Sequence, residues 1–150
     1  MKVRIEIDDS LKEIEVIIKC PSINENVSLI EQKIRDASTG SPNIIFYKDD
    51  KEYYLELGNI LFFETEENNT YAHTRDNAYI TRYRLYELEE MLAKNFIRVS
   101  KSTIVNIHHI LSMSISFGTS YVLEFNKSHK QVYVSRRYKK ALKQRLEERN

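Results

Sequence analysis

The stretch FIRVSKSTIVNIHHI, residues 96–110, starts as a half-buried strand and then sets Arg98, Ser100, Lys101 and Ser102 among apolar residues. Side chains two apart on an extended chain share a face, so an unbroken strand would bury the Arg98 charge beside Phe96. A turn near Ser100 and Lys101 removes that conflict. The stretch therefore reads as a strand over Phe96–Val99, an exposed bend over Ser100–Ser102, and a return into the core over Ile104–Asn106. Such a bend can meet phosphates through its hydroxyls and backbone N–H groups, and a lysine can also reach guanine O6 and N7 in a major groove. An ordinary polar turn has the same composition, and the stretch by itself leaves both readings open.

Outward from it the pattern is largely period two, rich in Tyr, Phe, Ile and Val. It predicts further strands near Ile44–Tyr47, Tyr53–Leu57, Leu61–Glu66, Tyr71–Arg75, Tyr79–Arg82, Thr103–Asn106, Ile110–Ile115, Tyr121–Phe125 and Gln131–Ser135. Polar turns separate them at Lys48–Lys51, Asp76–Asn77, Gly118–Thr119 and Asn126–His129. Two segments carry helical spacing instead: Arg84–Ala93, through Leu85, Leu88, Met91 and Leu92, and Arg137–Arg149, through Tyr138, Leu142 and Leu146.

The first 43 residues differ. Val3, Ile5 and Ile7, then Ile14, Val16 and Ile18, alternate as two arms of a hairpin, and Ile23, Val27, Ile30 and Ile34 are spaced for a helix. A unit this small buries its own apolar face poorly, so it must pack on the following domain or on another copy of itself. Thr39–Asn43 reads as a linker. The lone cysteine, Cys20, excludes an internal disulfide and, ending an apolar run, is expected to be packed rather than reactive.

At 150 residues the chain holds one domain or one domain with a short appendage. No apolar run reaches the roughly 20 residues of a membrane span, and the alternating start is not that of a signal peptide, so the expected compartment is the cytoplasm. The net charge of +1 hides an asymmetry. Residues 96–150 carry 11 basic and 3 acidic side chains, a charge of +8, whereas residues 1–95 carry 12 basic and 19 acidic, a charge of −7. A polyanion-binding face and a merely solvated basic surface both fit that distribution. The second basic site, SRRYKK over Ser135–Lys140, stands where a strand gives way to a helix, a corner suited to bidentate phosphate or guanine contacts.

Taken together, three ordered blocks resemble the LytTR DNA-binding domain of bacterial transcription regulators: Ile60-x-Phe62-Phe63-Glu64, then Phe96-x-Arg98-Val99-Ser100-Lys101-Ser102-x-Ile104-Val105-Asn106 with Ile110, then Val134-Ser135-Arg136-Arg137-Tyr138. The likeness covers roughly residues 44–148. It implies a mainly β fold of small antiparallel sheets with a short connecting helix and a C-terminal helix, here preceded by the hairpin and helix. It also implies that double-stranded promoter DNA is read by loops instead of a recognition helix. Matched by position, Asn69, Thr70, Lys101 and Arg136 would enter grooves or grip the backbone between them, and Arg98, Ser100, Ser102, Arg137 and Lys139 would meet phosphates. Residues 1–43 are too short for the phosphate-accepting receiver domain common in the family, so the chain resembles the receiver-less regulators, with residues 1–43 a candidate dimerisation element and residues 44–150 the DNA-binding domain.

A homodimer follows from the few base contacts one unit offers. No enzymatic role, cofactor or membrane insertion is expected. His108-His109 would point to opposite faces of a strand and lacks further metal ligands, and Glu64, Glu66 and Glu67 lack a partner for acid–base work. The alternative reading is a protein-interaction module that binds another regulator or a membrane sensor through its basic face.

Overall fold

The computed structural model describes residues 1–39, 42–116, 118 and 120–149, which fall into two compact units divided at residues 40 and 41. The expected linker and the Gly118–Thr119 turn lie partly outside the described residues.

In the first unit, the turn at Asp9–Ser10 forms because the Asp8 carboxylate accepts from the Ser10 amide at 3.0 Å and from its hydroxyl at 2.6 Å, while Asp8 O accepts from Leu11 N at 3.3 Å. Residues on either side, Arg4–Asp8 and Leu11–Ile17, face each other across a groove. Among the described residues no strand precedes Phe46, so the expected hairpin ladder is not formed. Helix α1 (Glu25–Thr39) starts where the Asn24 side chain accepts from Val27 N at 3.0 Å, and Glu31 pairs with Arg35 one turn on. Cys20, expected to be packed, is exposed, because the apolar run it ends is itself largely open to solvent.

The second unit is built from β1 (Phe46–Lys48), β2 (Lys51–Tyr53), β3 (Phe62–Glu66), β4 (Asn69–His73), β5 (Ala78–Thr81), α2 (Leu85–Met91), β6 (Phe96–Ser100), β7 (Thr103–Asn106), β8 (Ile110–Ser116), β9 (Ser120–Phe125), β10 (Gln131–Val134) and α3 (Arg136–Arg149). One antiparallel sheet runs in the order β2-β1-β5-β4-β3-β7-β6, the other β10-β9-β8. The strand expected over Tyr53–Leu57 is displaced. Asp49 and Asp50 take left-handed backbone conformations, φ 51° and 61°, so the turn is tight and β2 already ends at Tyr53. A one-turn 3-10 helix over Leu57–Asn59 follows.

Adjacent residues of β3 serve two cores, as strand alternation requires. Phe62 faces the three-stranded sheet and α3, packing with Val99, Val105, Leu123, Phe125, Val134 and Leu142; its ring lies 5.3 Å from Phe125. Phe63 faces α2, packing with Phe46, Ala72, Leu85, Leu88 and Ile104. Both phenylalanines are buried. At the end of β7, the buried Asn106 satisfies its own polar atoms: its amide donates to Ile60 O at 3.0 Å, and its oxygen accepts from His108 N at 3.1 Å and Asn95 Nδ2 at 3.0 Å. A buried side chain with such partners holds the crossing from β7 to the following turn in one conformation.

Candidate nucleic-acid interface

The pairing registers bring the basic sites together. β3 pairs with β7 through Glu64 and Thr103, and Thr65 N donates to Ser102 O at 2.8 Å. The β3–β4 turn and the bend between β6 and β7 therefore lie at the same end of the sheet. β10 reaches that end too, since Ser135 N donates to Val99 O at 2.9 Å. That bond exists because of a bulge: Arg98 pairs with Ile104 and Ser100 with Thr103, which leaves Val99 as the extra residue. Thus Asn69, Lys101 and Arg136, far apart in the chain, converge on one edge. A shallow groove of about 460 Å³ between the bend and β10 carries the hydroxyls of Ser100, Ser102, Thr103, Ser120 and Ser135 along its walls.

Lys101 and Arg136 are exposed, and among the described residues neither the Lys101 ammonium nor the Arg136 guanidinium has a hydrogen-bond or ion-pair partner. Ser102 is exposed as well; its amide donates to Ser100 Oγ at 3.2 Å, and the two hydroxyls lie 3.3 Å apart. Arg137 is exposed, with its guanidinium 5.9 Å from the Tyr138 ring.

Three expected contacts look different in the structure. Thr70 is 5% exposed, on the sheet face it shares with Ala72, and is withdrawn from solvent, so of the pair in that turn only Asn69 is presented. Arg98, expected to meet phosphate, is turned into the bend. Its Nε donates to Ser100 O at 2.8 Å, its Nη2 to Lys101 O at 2.5 Å, and its Nη1 pairs with Glu89 of α2. Glu89 is also what resolves the conflict between the Arg98 charge and its apolar neighbours: the arginine is neutralised across the α2 face. Arg98 therefore shapes the loop that carries Lys101. Lys139 is half-buried, its ammonium 4.0 Å from the Tyr121 ring centre and bonded to the Tyr121 hydroxyl, which binds it to the second sheet.

One residue the sequence reading missed belongs on this edge. Thr81 pairs with Thr70, so Arg82 emerges next to Asn69; it is exposed and lies 4.6 Å over the Tyr47 ring. It stands where Glu66 and Glu67 would otherwise leave the edge acidic. A strand-end arginine has no signal in sequence alone until the register is known.

At the opposite end, His73 ties the two sheets together. Its ring stacks on Phe62 at 4.3 Å, Nδ1 lies 3.2 Å from Lys130 Nζ, and Nε2 lies 2.7 Å from Glu64 Oε1 without hydrogen-bond geometry. Lys130 also donates to Asn77 O at 2.7 Å. Burial first, then the Lys130 charge, lowers the His73 pKa to about 4, so at neutral pH the ring is uncharged and accepts from Lys130. Burial likewise pushes the Glu64 carboxyl up, partly opposed by Lys130. His108 and His109 fall in a 3-10 turn rather than on a strand, and His109 bonds to Gly58 O. Among the described residues no group of three or more His, Cys, Asp or Glu comes together as a metal site.

With this geometry in view, comparison with known proteins is direct. The family model for the LytTr DNA-binding domain matches residues 50–147, and the chain belongs to that family. An uncharacterized HTH-type transcriptional regulator of Staphylococcus aureus strain NCTC 8325 is 31% identical over 146 residues, 97% of this chain and 98% of that protein. A regulator of the same description from strain COL matches equally. Among solved structures, the LytTr DNA-binding domain of a methyl-accepting/DNA response regulator from Bacillus cereus superposes with a TM-score of 0.63 at 23% identity, covering 69% of this chain and 95% of that one. The mainly β fold of two sheets and a C-terminal helix is thus that of a LytTR domain. α2 and α3 are separated by five strands, so these helices do not form a helix-turn-helix pair. Among the described residues no helix is long and apolar enough to cross a membrane.

Proposed function

We propose that the chain is a sequence-specific transcription regulator of the bacterial cytoplasm that binds double-stranded promoter DNA as a homodimer and sets loops into successive major grooves. The observation that carries this reading is the convergence of Lys101 and Arg136, both exposed and with charged groups unpartnered among the described residues, on one sheet edge joined by the Ser135–Val99 hydrogen bond. Lys101 and Arg136 read bases. Ser100, Ser102 and Arg137 meet the phosphates between, Asn69 and Arg82 extend the footprint, and Arg98 holds the bend. The +8 charge of residues 96–150 supplies the nonspecific attraction on which base contacts discriminate.

The test is fluorescence anisotropy against DNA from upstream of the protein's own gene and against a shuffled duplex, over a salt series. A specificity gap that survives near physiological salt is the expected result. Lys101→Ala and Arg136→Ala should each weaken operator binding by about 1–3 kcal/mol and relax specificity. Arg82→Ala should act on both duplexes alike and lower the salt slope by about one. Unchanged operator affinity in both the Lys101 and Arg136 variants would overturn the assignment.

A further inference from the structure

Unit one carries a run of exposed apolar residues. Val3, Ile5 and Ile7 are 83%, 87% and 95% exposed, and among the described residues the arm that carries them belongs to no ladder. Such an arm offers a row of unpaired backbone N–H and C=O groups, a template for another strand. Its charges select which strand. Along Lys2-Val-Arg-Ile-Glu-Ile-Asp8 the basic residues occupy the first half and the acidic residues the second. Laid antiparallel on a second copy and centred on Ile5, the arm places Lys2 opposite Asp8, Val3 opposite Ile7, Arg4 opposite Glu6, and Ile5 opposite Ile5.

Every pair in that register is favourable: charged residues meet opposite charges, and apolar residues meet apolar ones on the other face. A shift by one residue sets apolar side chains against charged ones and moves each arm's apolar set to the wrong face. The second arm lacks this property. Centred on Val16, it would set Glu15 opposite Ile17 and Lys12 opposite Cys20.

We infer that residues 2–8 pair with the same residues of a second copy in a two-fold antiparallel ladder centred on Ile5. The contact is isologous, as a closed dimer requires, and it covers one edge of each copy. In the isolated chain the Arg4 guanidinium contacts Glu6 of its own arm, with the two side chains 76% and 72% exposed. Dimerisation exchanges this for two reciprocal contacts between copies. The inference gives the homodimer proposed above a defined interface, and because it concerns self-association without DNA, it can fail while operator binding stands.

The experiment is sedimentation equilibrium of the full chain without DNA, with circular dichroism melting of each variant as the check on folding. The parent protein should dimerise. Arg4→Glu alone and Glu6→Arg alone should each weaken dimerisation about tenfold or more, since each sets like charges opposite one another twice. Mixed one to one, the two variants should associate with each other to within about threefold of the parent, because the introduced glutamate then faces the introduced arginine and the remaining Glu6 faces the remaining Arg4. In a Cys20→Ser background, Ile5→Cys should form an intermolecular disulfide on oxidation, whereas Val3→Cys and Ile7→Cys should not, because the register sets each of those opposite the other position. A monomeric parent, a mixture no tighter than either variant alone, or faster cross-linking at position 3 or 7 than at position 5 would overturn the proposal.

Discussion

The two units of the chain carry the same alternating pattern and differ in what became of it. In the second unit the alternation of β3, β7 and β9 is filled on the faces it predicts, and Phe62 and Phe63 back onto separate cores. In the first unit Val3, Ile5, Ile7 and Ile14 alternate as cleanly and stay more than four-fifths exposed. A period-two pattern states which side chains want cover. Whether cover comes from the same chain depends on there being enough of it, and two arms and one helix are too few.

That contrast can be tested from its strong side first. Leu142 on α3 is fully buried among residues of both sheets, so Leu142→Ala should lower unfolding free energy by about 2–5 kcal/mol in a chemical denaturation experiment. A loss below 1 kcal/mol would mean that α3 is not part of the core. Next comes the seam at His73. The folded ring takes its proton only near pH 4, whereas in the unfolded chain it does so near 6.5. The unfolded state therefore binds more protons between those values, and stability should fall as pH drops through the window, by about 2 kcal/mol after allowance for partial solvent access. Glu64, whose carboxyl is shifted upward, offsets part of this loss. Chemical denaturation of the parent and of His73→Gln at pH 7 and pH 4.5 checks the sign; an equal pH slope in the two proteins would remove His73 from the account.

A smaller effect is expected at Arg98. Arg98→Ala deletes the donors to two carbonyls that solvent can still reach, at a stability cost of about 1 kcal/mol. The same variant should lose operator affinity with little change in salt slope, because a loop is loosened while no phosphate contact is removed. A salt slope reduced by one would return Arg98 to the phosphate set. The smallest effect belongs to the first unit: Ile14, 96% exposed, should tolerate alanine with less than about 0.5 kcal/mol change in the melting of the second unit. A larger change would show that the two units stabilise one another.

Much of this was legible in advance where local chemistry decides. The bend at Ser100–Ser102 follows from one charge misplaced on a strand, and the three-block likeness located the fold. Registers were not legible. Thr70 reads as a loop residue until β4 is known to begin at Asn69, and then it is an interior position of a sheet. Arg98 reads as a phosphate ligand until Glu89, nine residues earlier, is seen to face it from α2. Arg82 gains a candidate role only because β4 and β5 pair so as to carry it beside Asn69. Each case turns on which residue lies opposite, a long-range fact that composition and spacing do not contain. The first unit is the reverse case: the register proposed for it with a second copy rests on seven residues alone, because both sides of such a pair are the same sequence.

The clamp made by Arg98 has a consequence for how such a regulator changes its target. Arg98 grips the bend only by the carbonyl oxygens of residues 100 and 101, groups that every amino acid possesses. The fold is thus blind to the side chain at position 101. With Lys101 in the base-reading role proposed above, a lineage could exchange it for asparagine, glutamine or arginine without repaying the change elsewhere in the core, and a copied gene could drift toward a new promoter one residue at a time while its scaffold stays under the same selection.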